Sequence, residues 1–300
     1  MKSGTLHTYT KNLAFENEFA HYIGLPHCLS VCSASMGLFA AFRALGIQDG
    51  EVIIPTMNWP GALWFFDLLN LTPVLTDISL ESYTICPEKV RQNITADTKV
   101  ILAVDMFGYP ADWYRLRAVA DSHGLPLIGD CAQSFGSFYD EYPSGHFADI
   151  AVFSFGVGKI FSIGEGGMIV CRRQEDFEKI VANFGHPDVQ RIHLGGIKNY
   201  FTPNIRLNPA TAQYAARSMK PAFDGIIAQS TFIHTKMLHK SLEGDVPNYA
   251  RMILPPTVQN LTIRNKPPQA IPEDYLLVDT HDAAFPNTTK LYTNFRILNI

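Results

Sequence analysis

Between about residues 28 and 172 the chain alternates short apolar, β-rich runs with longer stretches of helical spacing, and Gly, Pro and Asp mark the joins. The short runs predict strands over 28–33, 52–55, 73–78, 100–105, 126–131, 150–155 and 168–171. The longer stretches predict helices over 36–45, 61–69, 87–92 and 112–123. Strand, crossover helix, strand is the grammar of an α/β protein whose mostly parallel central sheet is covered by helices on both faces. Such sheets bind ligands beyond the carboxyl ends of their strands. Helical periodicity returns over 208–243, in Ala212, Ala215, Ala216 and Met219 and then in Ile226, Ile227 and Met237. Past Gly244 it disappears, and Pro247, Pro255, Pro256, Pro267, Pro268 and Pro272 break up the chain. The expected organisation is a large domain over 1–243, interdomain helices included, and a reduced, loop-rich C-terminal small domain over 244–300.

Composition narrows the function classes. With 300 residues, 47% hydrophobic and 17% charged, the chain has the makings of a packed globule and not of a disordered segment. A net charge of −4 without a long basic run argues against a nucleic-acid partner. The first residues lack the apolar core of a secretory signal and no apolar stretch approaches membrane-spanning length, so a cytoplasmic location without a membrane partner is expected. Cys28, Cys32, Cys86, Cys131 and Cys171 are odd in number and form no CxxC pair, which suits buried reduced thiols better than zinc or disulfides. His234 and His239 are wrongly spaced for two metal ligands on one helical face.

The informative polar residues fall at the predicted strand ends. Lys159 stands between the apolar run ending at Phe155 and the glycines 164, 166 and 167. A lysine among small and apolar neighbours loses hydration, which lowers its pKa and frees the neutral amine to attack a carbonyl. A phosphate-loop reading of Gly158-Lys159 fails, because Phe153 and Ile160 stand where that motif needs glycine and Ser or Thr. Carbonyl chemistry at a lysine suggests pyridoxal 5'-phosphate (PLP), which asks a protein for an amine, an anion beside its pyridine nitrogen, a stacking surface and a phosphate cradle. Asp130, closing the strand 126–131, suits the anion beside Lys159; taken without that lysine, a carboxylate capping the next turn is the better reading. Ser33-Ala34-Ser35 opens a helix and suits an anion, with Ser154 adding a hydroxyl; an ordinary N-cap accounts for one serine. Trp59 offers a π-face, or a core aromatic.

Taken in order, several segments resemble the DegT/DnrJ/StrS-type sugar aminotransferase family of the fold type I, aspartate-aminotransferase superfamily. They are Phe15-Glu16-Asn17-Glu18-Phe19-Ala20, Ser33-Ala34-Ser35, Pro55-Thr56-Met57-Asn58-Trp59, Gly108-Tyr109-Pro110-Ala111-Asp112 and Asp130-Cys131-Ala132-Gln133. Phe153-Ser154-Phe155 with Lys159, Gly164-Glu165-Gly166-Gly167 and Asn204-Ile205-Arg206-Leu207 continue the series. The resemblance implies Lys159 as the lysine that forms the Schiff base with PLP, Asp130 as pyridinium partner, Gln133 near the phenolic oxygen and Trp59 stacked on the ring. It implies that the Ala34-Ser35 turn and Ser154 hold the phosphate, with Asn204 reaching it from the other subunit of a homodimer. The chain departs from the family pattern at Ala34-Ser35, where Gly-Thr is usual, at Gly129, usually acidic, and at Asn58, usually Thr. The expected activity is transfer of an amino group from glutamate or glutamine to a nucleotide-linked keto sugar or similar cyclic ketone. The alternative is a non-catalytic scaffold or regulatory protein of the same fold, with or without PLP.

Overall fold

The computed structural model describes residues 6–79 and 82–241, together with 284, 286 and 287. In chain order the strands are β1 (His27–Val31), β2 (Gly50–Pro55), β3 (Leu71–Thr76), β4 (Thr98–Val104), β5 (Leu127–Asp130), β6 (Phe138–Tyr139), β7 (Tyr142–Pro143), β8 (Ile150–Ser154) and β9 (Gly167–Cys171). The helices are α1 (Leu6–Ile23), α2 (Ala34–Ala44), α3 (Pro87–Asn93), α4 (Trp113–His123), α5 (Gln174–Phe184), α6 (Pro187–Leu194) and α7 (Pro209–Ser241). Seven strands make one sheet in the order β1-β9-β8-β5-β4-β2-β3, while β6 and β7 form a separate hairpin. All pairings among β3, β2, β4, β5 and β8 are parallel, and β9 alone runs against its neighbours β8 and β1. The chain returns from Ser154 to Gly167 without a crossover helix, so β9 has to come back antiparallel.

The seven expected strands of the sheet all form. They read as near-continuous apolar runs because both faces are covered, and their alternate residues sort cleanly between two layers. Val52, Ile54, Leu102, Val152 and Ile169 face one layer with Leu38 and Phe42 of α2 and Ile180 of α5. Ile53, Ile101, Ala103, Phe153 and Met168 face the other with Phe15 and Phe19 of α1, Trp113 and Leu116 of α4 and Ala212 and Ala215 of α7. Full burial of each such large side chain contributes about 1.5–3 kcal/mol.

Residues 61–69, expected as a helix, instead make two short 3-10 turns, Pro60–Ala62 and Asp67–Leu69. The spacing of the buried Ala62, Phe65, Phe66 and Leu69 is helical, yet Pro60-Gly61 starts the segment poorly and it is too short to propagate. Helices α1, α5 and α6 were not expected from periodicity. In α1 the buried face combines Tyr9, Phe15, Phe19 and Ile23 with Asn12 and Glu16, and the polar pair blurs the pattern. These two polar residues are buried because β1 engages them. Glu16 Oε1 accepts from Ser30 N and Ser30 Oγ, both at 2.8 Å, and Asn12 Nδ2 donates to Ser30 Oγ at 3.0 Å.

Cys28, Cys131 and Cys171 are buried and every cysteine is free, but Cys32 is exposed at the end of β1 and Cys86 is half-buried, so the expectation of buried thiols fails for these two. Apart from 284, 286 and 287, the expected small domain over 244–300 lies outside the described residues. Asn287 meets the end of β3, its N–H donating to Asp77 Oδ2 at 3.0 Å and its Nδ2 to Ile78 O at 2.7 Å. Among the described residues no helix is long and apolar enough to cross a membrane.

Candidate active site

Because β1, β8, β5, β4 and β2 run parallel, their last residues Val31, Ser154, Asp130, Val104 and Pro55 share one edge, and the reversed β9 brings its first residue, Gly167, to it. The edge is tight at β9. Gly167 pairs with Ser154 and with Val31, and a Cβ at Gly167 would lie 2.9 Å from Ala34 N and 2.7 Å from Phe153 O. Only glycine lets the first turn of α2 sit against the end of β8. Ser33 is the N-cap of α2, its Oγ accepting from Met36 N at 3.3 Å, so the ordinary capping role is real. Ala34 and Ser35 form the first turn, where backbone N–H groups and the helix dipole favour an anion. Ser154 is half-buried next to them.

Lys159 follows β8 in a loop closed by bonds from Lys159 N to Gly156 O (3.2 Å) and from Ile163 N to Phe155 O (2.9 Å). Phe155 and Phe161, both buried, anchor the two sides of this loop. Their ring centroids are 5.4 Å apart, and Phe15 and Phe135 pack edge-on or tilted against them. Burial desolvates Lys159 and holds its ammonium below the ordinary lysine range, opposed by the charge of Asp130. Asp130 closes the adjacent β5 and is buried. Burial pushes its pKa up, opposed first by the Ala132 N–H and then by Lys159. Its Oδ1 caps the turn by accepting from Ala132 N at 3.0 Å, so Asp130 caps and also faces the charge of Lys159.

Gln133 lies in the turn after Asp130, where its Oε1 accepts from Phe107 N at 3.0 Å, so the donor end of its amide is the NH2. Trp59 follows β2, two strands from β5. It is 50% exposed, which rules out a core aromatic, and its indole folds over Gly61, where a Cβ would lie 2.6 Å from Nε1. Asn204 is exposed, and the segment it opens runs antiparallel beside the end of β1. Cys32 N donates to Ile205 O at 2.6 Å and Leu207 N to Ser30 O at 3.2 Å. The fold thus carries Ala34, Ser35, Ser154, Lys159, Asp130, Gln133 and Trp59 along one edge, with Asn204 on the rim beyond β1. The departure at Gly129 also has a physical cause. The ring of the fully buried Trp113 would come within 2.8 Å of a Cβ there, so the tryptophan of α4 fills the space of a side chain on β5.

Two residues that the sequence did not single out complete the edge. Phe161 was hidden because an aromatic next to glycines shows no period. Asp105 ends the β4 run, and its partners are far apart in the chain.

A mostly parallel seven-stranded sheet with a single reversed strand, carrying its polar residues on the carboxyl edge, is the architecture of fold type I PLP enzymes. Within that class the chain belongs to the DegT/DnrJ/EryC1/StrS aminotransferase family, whose model matches residues 1–255. It is 37% identical over 157 residues to GDP-perosamine synthase of Vibrio cholerae, covering 52% of this chain and 43% of that protein. It is 36% identical over 162 residues to L-glutamine:2-deoxy-scyllo-inosose aminotransferase of Streptoalloteichus tenebrarius, covering 54% of this chain and 38% of that protein. Among solved structures, the aminotransferase from Psychrobacter cryohalolentis is similar with a TM-score of 0.69 at 27% identity, over 74% of this chain and 58% of that one. The chain spans less than half the length of these two curated relatives.

Proposed function

We propose that this chain is a PLP-dependent aminotransferase that moves an amino group from glutamate or glutamine onto a keto group of a nucleotide-linked sugar or a related cyclic ketone. The observation that carries the reading is the pair formed by Lys159 and Asp130 on neighbouring strand ends, an amine made less basic by burial beside a buried carboxylate. The relatives support the substrate class, since one name contains a GDP-linked amino sugar and the other names glutamine and a cyclic ketone.

The residues present fit the cofactor. The close approach at Gly167 leaves the first turn of α2 and Ser154 side by side as a phosphate cradle, and Asp130 has a second carboxylate oxygen beyond the one that caps its turn. Bound PLP supplies a reactive aldehyde carbon and an electron-withdrawing pyridine ring. Ala34 and Ser35 hold the phosphate through backbone N–H groups and a hydroxyl, and Ser154 adds a second hydroxyl. Asp130 keeps the pyridine nitrogen protonated. Gln133 donates from Nε2 to the phenolic oxygen, an orientation set by Phe107 N. Trp59 covers the ring. Lys159 Nζ, lowered in basicity, takes and returns a proton at the reacting carbon, serving both halves of a ping-pong cycle. Asn204, on the rim, completes the phosphate site of the partner subunit in a homodimer.

The test is to mix the purified chain with PLP and glutamate and follow the visible band. Transamination converts the bound cofactor to its amine form, with 2-oxoglutarate released in equal amount. A chain that binds PLP and leaves it unchanged with glutamate, and again when glutamine replaces glutamate, is the non-catalytic scaffold instead.

A further inference from the structure

We propose that Asp105 is a positioning residue, whose buried carboxylate at the end of β4 locks the turn over residues 131–137 so that Asp130 and Gln133 meet the cofactor. This rests on the functional reading above. Asp105 is fully buried. Its Oδ1 accepts from Ala111 N at 2.7 Å, and its Oδ2 accepts from Ser134 Oγ at 2.7 Å and from Ser144 Oγ. Ser134 lies one residue after Gln133, so one carboxylate oxygen reaches directly into the turn that carries the cofactor contacts.

The surrounding backbone is joined to the same turn. Asp105 N donates to Asp130 O at 3.0 Å, Phe107 N to Gln133 Oε1 at 3.0 Å, and Ser137 Oγ to Gly108 O at 2.7 Å. Phe107 is held at φ 55, a left-handed conformation that a non-glycine residue keeps only where its surroundings enforce it. The stretch 105–108 is therefore a template against which the turn is set.

Stability alone gives little reason for a carboxylate here. Burial pushes the Asp105 pKa up to about 6 despite its donors, so at neutral pH the protein retains a buried anion at a cost in desolvation. Both oxygens are engaged by protein donors, so Asp105 orients other groups and does not itself transfer protons.

Asp105→Asn, Ser134→Ala and Ser144→Ala in the full chain separate positioning from mere support. Ser134 and Ser144 share one carboxylate oxygen, but only Ser134 sits in the turn. Four readouts are compared: thermal unfolding and amide exchange without cofactor, then PLP affinity and the visible circular dichroism of bound PLP. We expect Asp105→Asn and Ser134→Ala to weaken PLP binding about tenfold, the weight of one hydrogen bond to a charged group, and to change the cofactor dichroism. Amide exchange over 131–137 should quicken in both. Ser144→Ala should lower the unfolding temperature comparably and leave PLP affinity within about twofold. Cofactor signals that follow unfolding temperature equally in all variants, or that do not change, overturn the proposal. Should Asp105→Asn fail to fold, the contrast between the two serine variants decides. A wild-type chain that takes up no PLP overturns the functional reading, and this role with it.

Discussion

Two neighbouring strands end in aspartates with different surroundings. Asp105 after β4 and Asp130 at the end of β5 are both buried, and burial raises the pKa of each. Asp105 is saturated, its two oxygens taking an amide and two hydroxyls from its own chain. Asp130 takes one backbone N–H, and its other electrostatic partner is the amine of Lys159. A buried carboxylate whose acceptors are filled by the protein is part of the frame, whereas one left with spare capacity beside a lysine is available to a ligand. Burial alone would not have separated them.

The largest effect is expected at the lysine. Lys159→Ala should retain the fold and bind PLP through its phosphate, yet lose about 10³-fold or more in turnover, because no other group there serves as general acid and base. A single-turnover assay with glutamate checks this, and a variant within tenfold of wild type would remove Lys159 from the chemistry. The next effect is at Asp130. Asp130→Asn should cost on the order of 3 kcal/mol in the transition state, since a neutral amide cannot hold the pyridine nitrogen protonated. Equal rates for Asp130→Asn and wild type would reduce Asp130 to the turn cap it also is.

A third prediction uses pH, with the cofactor absent. The Asp105 pKa is raised from 3.8 to about 6, so the folded state binds this proton more tightly than the unfolded one. Its stabilising contribution is therefore present below about pH 4 and lost as pH rises through about 6, a change on the order of 3 kcal/mol. Tyr22 and Cys131, which interact electrostatically with Asp105, are pushed upward and titrate outside this window, while Asp130 moves in the same direction as Asp105. Denaturant unfolding from pH 4 to 7 should show the fall in wild type and a shallower one in Asp105→Asn, where Asp130 adds a fall of its own and His186, held below its ordinary range by burial, opposes it. Identical slopes in the two proteins would contradict the assignment.

Much of this was legible in the sequence because parallel strands buried on both faces leave apolar runs that end in a polar residue. That is how 126–131 pointed to Asp130 and 150–155 to Ser154. Reversal of β9 was not legible, since its apolar run looks the same in either direction. Helix α1 was hidden by Asn12 and Glu16, polar residues buried only because Ser30 binds them. Asp105 stood at a predicted strand end like Asp130, but Ala111, Ser134 and Ser144 come together only in the fold. The family departure at Gly129 makes sense only with Trp113 in place.

The smallest expected signal concerns assembly. Lys159→Ala and Asn204→Asp should each be inactive as homodimers, but after subunit exchange one pocket of a mixed dimer collects both lesions and the other is intact. With random assortment this restores about a quarter of wild-type activity. No recovery, with exchange confirmed by mass, places Asn204 in its own subunit's site.

Borohydride reduction of the PLP-loaded chain, followed by peptide mapping, shows whether Lys159 holds the cofactor beside Asp130 at the carboxyl edge of the sheet. One reduced adduct is expected, on Lys159, and it should form in Asp105→Asn as in wild type. An adduct on any other lysine, or none in a chain that has bound PLP, contradicts that assignment.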